Sequence, residues 1–144
     1  MQPLKLVALD EEDLGIVSAH VQDAVMKTGD ISYHAGEKRL IVTMNRFVWE
    51  KKQRLFSREH ERRRSVLNFD RVLSVKSSGI DRSRADDILS LLAITFAPAD
   101  APAGTVEMSF SGGGTLRLDV ECIEARLTDT GSAWKALAKP RHAG

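Results

Sequence analysis

Leu40, Val42 and Met44 alternate with less apolar neighbours, and after Asn45-Arg46 the apolar positions Phe47 and Trp49 fall on the opposite parity. Alternation with period two marks a strand, and a one-residue phase change inside it is the signature of a β-bulge. Residues 39–50 therefore predict a long strand with a bulge near Asn45-Arg46. Alternation resumes over 64–69 and 71–76, where Leu67, Phe69, Leu73 and Val75 share parity across Asp70-Arg71. The run ILSLLAITFA at 88–97 is almost continuously apolar, which predicts a central strand covered on both faces.

The sharpest hairpin signal follows. Val106, Met108 and Phe110 share one parity, and Leu116, Leu118, Val120 and Cys122 share one on the return. A three-residue loop Ser111-Gly112-Gly113 sets Met108 opposite Leu116 and Glu107 opposite Arg117, and it supplies the glycine that such loops need at positive φ. Beyond Cys122, Ile123, Ala125 and Leu127 continue a strand after a second bulge, while a helical turn fits the same residues. Thr128 to Gly131 reads as a turn, 132–139 as a short helix anchored by Trp134 and Leu137, and the rest as a tail.

The N-terminal part has a different period. After a short strand at 4–9, Asp10 fits a helix N-cap, with Glu11, Glu12 and Asp13 where carboxylates suit the helix dipole. Leu14, Val17, Val21 and Val25 recur at helical spacing, so residues 11–27 predict one amphipathic helix ending at Thr28-Gly29-Asp30. Ile31 to Tyr33 is a short strand, His34 to Glu37 a turn, and 80–87 a polar loop. The pattern is α+β: an N-terminal amphipathic helix packed on a curled, mostly antiparallel sheet of about six strands, in a roll or partial barrel. The 144 residues fit a single domain, with a core at 4–131 and an extension or tail at 132–144.

Charge changes this picture locally. The formal net charge is only +1, yet residues 51–64 hold seven Lys and Arg against Glu59 and Glu61. Such asymmetry points to an anion-facing surface on a chain with no global field. A single cysteine, Cys122, excludes an intramolecular disulfide and a Cys-based zinc site, which fits a reducing compartment. The N-terminal apolar run Leu6 to Leu9 is too short for a signal peptide, and no stretch approaches the ~20 residues that span a bilayer. The expected location is cytoplasmic.

The words SAHVQDAV (18–25), NRFVWE (45–50), SLLAITF (90–96), GTVEMSFSGGGTLRL (104–118) and VECIEARL (120–127) stand in this order in the chain. Together they resemble an uncharacterised family of small alphaproteobacterial proteins, a domain-of-unknown-function family. The resemblance spans about residues 4–142 and implies a bacterial cytosolic protein with one intact domain; it implies no activity. Separately, RRRSVLNFDRVLSVK looks like a strand–turn–strand of pleckstrin-homology-like rolls, a short local likeness that licenses no function.

The candidate chemistry is sparse. His20 and Asp23, with Arg46 and Glu50, are the residues an enzyme site at the helix–sheet junction would use; the plainer reading of the first two is a polar helix edge. Gly112-Gly113-Gly114 has no lysine and no following helix, so it is a hairpin turn and not a phosphate cradle. Glu121 and Glu124 read as solvent-facing, and Cys122 as a buried inert thiol. No metal site and no cofactor are expected. Arg46, at the presumed bulge beside Phe47 and Trp49, either presents a cation next to an aromatic surface or pairs with a nearby acid. The function expected is a non-catalytic binding or adaptor module that docks a protein or an anionic ligand. Its surface is Arg46, Trp49, Lys51, Lys52, Arg54, Phe56, Arg62, Arg63 and Arg64. A small enzyme, and nucleic-acid binding by the basic run, are the alternatives. A protein partner is favoured over nucleic acid, and a homo-oligomer is compatible with the sequence.

Overall fold

In the computed structural model, which describes residues 3–48 and 62–132, Asp10 opens the helix as its spacing predicts. Its backbone is extended and its carboxylate accepts the Asp13 N–H at 2.8 Å, satisfying one of the free donors of the first turn. The helix α1 spans Glu11–His20 and buries Leu14 and Val17. It ends seven residues short of the predicted 11–27. Val21 caps it, and Asp23 takes a left-handed φ of 64°. The Asp23 N–H then donates to the Leu91 carbonyl, and the Leu91 N–H to the Ala24 carbonyl. Val25 fits helical spacing, but sheet pairing wins and places it in a strand.

Strands β1 (Lys5–Ala8), β2 (Val25–Lys27), β3 (Ile31–His34), β4 (Arg39–Phe47) and β5 (Arg62–Phe69) are followed by β6 (Val72–Ser78) and β7 (Ile88–Pro98). Next come β8 (Gly104–Phe110), β9 (Thr115–Val120) and β10 (Ala125–Ser132). All pair antiparallel in one ten-stranded sheet of order β1-β10-β5-β4-β2-β7-β8-β9-β6, with β3 also on β4. The class is α+β, but the sheet has more strands than the six expected, and among the described residues it does not close into a barrel. Short segments such as 25–27 carry too few residues to show a period. One hydrophobic core collects Leu14 and Val17 from α1, Val42 and Met44 from β4, Leu67 and Phe69 from β5, and Met108 and Leu118 from the hairpin.

The hairpin is as predicted. Met108 pairs with Leu116 and Glu107 with Arg117, whose Nε lies 2.9 Å from Glu107 Oε1. Gly112 and Gly113 have φ of 85° and 92°, conformations costly to other residues. Two other expectations fail for informative reasons. First, β4 and β5 pair without a register shift from Leu40↔Phe69 to Phe47↔Arg62, so there is no bulge at Asn45-Arg46. The inward parity of Leu40, Val42 and Met44 continues through Arg46 to Val48. A buried arginine, not a phase change, interrupts the apolar pattern.

Second, β7 is central in the sheet but covered on one face only. Leu92, expected in the core, is 48% exposed, and Phe96 is only partly buried. A register shift between Leu91 and Ala93 turns Leu92 outward, and the Ile94 N–H there donates to Ser18 Oγ of α1 at 2.9 Å. Leu73 is likewise exposed, beside a register shift between Val72 and Ser74. Residues 128–131, expected as a turn, belong to β10, which carries a shift between Asp129 and Gly131. The helix expected over 132–139 lies outside the described residues, apart from Ser132, which ends β10. Among the described residues no helix is long and apolar enough to cross a membrane.

Candidate functional site

Side chains on the outer face of β1, β10, β5 and β4 are brought together by register alone. Val7 is opposite Arg126, Arg126 opposite Asn68, and Asn68 opposite Ile41. One step along the strands stand Leu9, Glu124, Asp70 and Arg39. Turns add Glu37, Lys38 and Arg71, and together with Val7, Leu9, Arg39, Asp70, Glu124 and Arg126 they line an open groove of about 500 Å³. Val7 and Leu9 are 57% and 64% exposed, two neighbouring apolar side chains at one edge.

The rim is a network of ion pairs. Arg39 Nε lies 2.8 Å from Asp70 Oδ1, and Arg126 Nη2 lies 3.6 Å from Asp70 Oδ2. Arg71 reaches Glu124 at 3.5 Å and Glu121 at 3.8 Å, and Lys38 reaches Glu121 at 3.0 Å. Burial alone would raise the Asp70 carboxyl, but hydrogen bonds from Arg39 and Asn68 outweigh it and hold the group below the usual carboxylate range. Lys38 and Arg71 both sit at positive φ, 54° and 63°. Their turns are stitched together: the Val72 N–H donates to the Lys38 carbonyl, the Glu121 N–H to the Arg71 carbonyl and the Asp70 N–H to the Glu124 carbonyl. The cations are therefore held on a fixed frame. Around the groove, Lys38, Arg39, Arg71 and Arg126 are matched by the carboxylates of Glu37, Asp70, Glu121 and Glu124, so the rim is balanced in charge.

Of the surface residues proposed from the sequence, Arg46, Arg62, Arg63 and Arg64 are among the described ones. Arg46 is 1% exposed and is not a surface cation: its Nε and Nη2 donate to Asp129 Oδ1 and Oδ2, each at 2.9 Å. Ser65 Oγ donates to Asp129 Oδ1 at 2.6 Å, and the Leu4 N–H donates to Oδ2 at 3.0 Å. Arg62 lies over the Phe47 ring, 4.1 Å from its centroid. Arg63 pairs with Arg46 and Arg64 with Asn45 across the β4–β5 ladder. Arg64 lines a cleft of about 310 Å³ with Lys27, Asp30 and Asn45, whose Oδ1 is buried and has no hydrogen-bond partner among the described residues. Trp49, Glu50, Lys51, Lys52, Arg54 and Phe56 lie outside the described residues.

Of the four residues of the enzyme constellation, Glu50 lies outside the described residues. His20 closes α1 with Nδ1 2.9 Å from the Ile16 carbonyl oxygen, Asp23 belongs to the turn beyond it, and Arg46 is committed to Asp129. Among the described residues no three His, Cys, Asp or Glu side chains are grouped to hold a metal ion. The groove residues Val7, Leu9, Arg39 and Arg126 were not among the expected site residues. A signal for Val7 and Leu9 alone exists: LKLVAL is apolar at both parities, which a strand with one solvated face does not require.

No curated protein matches the chain, and no solved structure matches it. A family model does match, over residues 4–142, and by that match the chain belongs to the family described as "Protein of unknown function (DUF2948)".

Proposed function

We propose that this chain is a non-catalytic binding module, and that its ligand is a protein segment laid in extended form along β1. The observation that carries this reading is the groove, where exposed Val7 and Leu9 adjoin a fixed frame of ion pairs that includes Arg126. Among the described residues β1 pairs with β10 alone and ends the sheet. The Asp129 N–H donates to the Leu4 carbonyl, so by ladder parity Leu4, Leu6 and Ala8 turn their backbone groups to β10. Lys5 and Val7 turn theirs to the opposite edge, which no other described strand pairs. An added strand satisfies those groups, and its side chains fall beside Val7, Leu9 and Arg126.

The chemistry of the segment follows. Apolar side chains cover Val7 and Leu9, and a carboxylate meets Arg126, which shares Asp70 with the closer Arg39. The apolar contact supplies affinity, while charge sets orientation and on-rate. Lys5 on the edge disfavours pairing with a second copy through like-charge repulsion.

The test is a selection of displayed peptides on the full chain, followed by binding to Val7→Lys and Arg126→Glu variants of verified fold. Enriched peptides should combine acidic and apolar residues and lose most of their affinity for both variants. Peptides without that composition, or with binding indifferent to both substitutions, would overturn the reading.

A further inference from the structure

The sheet stays open where β3 and β6 face each other. β3 is paired to β4 and β6 to β9, and among the described residues no backbone ladder joins β3 to β6. The gap is built. At one end Tyr33 Oη–H donates to the Val72 carbonyl at 2.8 Å, and the Val72 N–H donates to the Lys38 carbonyl at 2.8 Å. At the other end the loop of residues 79–87 is hung on the turn after β2. There the Thr28 N–H donates to the Asp87 carbonyl, and the Gly29 N–H to the Ala85 carbonyl.

Between these ends lies a cavity of about 80 Å³. Its apolar lining is Ile31, Tyr33, Leu40, Val75, Ile80 and Leu116, and Leu40 and Leu116 belong to the core. Ser77 and Arg82 also line it. Among the described residues neither side chain has a hydrogen-bond or ion-pair partner. The neighbouring charges are occupied otherwise: Asp81 accepts from the Ser83 N–H and hydroxyl, and Arg84 pairs with Asp87 at 3.2 Å.

We infer that this slot binds a small monocarboxylate with a compact apolar body, the body between β3 and β6 and the carboxylate on Arg82. The volume decides the size class. Pockets for drug-sized ligands run to about 300–1,000 Å³, so a slot this small holds a group the size of one side chain. Arg82 decides the polar end, because a guanidinium recognises a carboxylate through paired donors. Ser77 adds a hydroxyl that is free to donate. The site is separate from the β1 groove and does not depend on it.

The experiment is a titration of the full chain with isocaproate, read as amide shifts in nitrogen–proton correlation spectra. The controls are isocaproamide, Arg82→Gln and Ser77→Leu, which fills the slot. Saturable shifts are expected at residues 31–33, 75–80 and 116. The neutral amide and Arg82→Gln should each weaken binding about three- to tenfold, and Ser77→Leu should abolish it. The amide tests the charge without any change to the protein, so a variant that misfolds does not remove the test. Equal binding of acid and amide, non-saturating shifts, or shifts spread away from the slot would overturn the inference. Concentration-dependent shifts at the seam without ligand would overturn it in favour of self-association.

Discussion

Arg46 and Asp129, 83 positions apart, form a forked ion pair in the interior, with both nitrogen–oxygen distances 2.9 Å. The pair joins β4 to β10 across β5, and the Leu4 N–H and Ser65 hydroxyl complete the carboxylate's bonding. Asp129 is 8% exposed, so neither charge has solvent to fall back on.

Removing Arg46 leaves the Asp129 carboxylate buried without its bidentate counter-charge. Arg46→Met should destabilise the chain by about 3–5 kcal/mol in urea melts. The double variant Arg46→Met with Asp129→Leu should recover part of that loss. The recovery is incomplete because Ser65 and the Leu4 N–H lose their acceptor. A single variant within about 1 kcal/mol of wild type would mean that the pair is relaxed by water.

Burial alone would raise the Asp129 carboxyl, but hydrogen bonds from Arg46, Ser65 and the Leu4 N–H together hold it below the usual carboxylate range. In the unfolded chain an aspartate titrates near ~3.9. As pH falls, the unfolded state takes up the proton first. The stability tied to this group is thus fully present above about pH 4–5 and is lost as pH falls through the lower folded value. Asp70 contributes with the same sign. Urea midpoints measured from pH 6 downward should fall steeply below about pH 4, and Asp129→Asn should flatten part of that slope.

Two adjacent leucines should behave oppositely. Leu91 is fully buried and Leu92 is turned outward at the register shift in β7. Leu91→Ala should cost about 2–5 kcal/mol. Leu92→Ser should stay within about 0.5 kcal/mol of wild type. Equal costs in denaturant melts would show that the shift is not kept in solution.

Gly104 opens β8 under an aromatic ring. A Cβ there would stand 2.5 Å from Phe96 Cζ and 2.5 Å from the Ala97 carbonyl oxygen. Gly104→Ala should therefore cost about 1–3 kcal/mol. Adding Phe96→Leu should return only part of it, since the ring can be removed and the backbone oxygen cannot. Thermal melts of both variants separate the two contributions.

Local period carried much of the fold into view. The β8–β9 hairpin, its loop and the Glu107–Arg117 pair were legible because their partners are few residues apart and parity alone sets the register. The Asp10 cap was legible for the same reason, since its partner Asp13 is three residues away. The cationic run of residues 51–64 is a property of composition alone.

Tertiary structure decided what depends on distant partners. Arg46 interrupts an apolar parity, and a bulge explains that interruption as well as a buried ion does until Asp129 is found opposite. Val25 fits a helix until Asn45 and Ser90 pair with it from either side. The groove draws Val7, Arg39, Asp70 and Arg126 from separate strands, and the slot draws Tyr33 and Val75 to facing edges; no local pattern records either meeting. Side-chain period reports which way a residue points. Which residue waits there is set by the order of strands across the sheet, and that order depends on long-range packing.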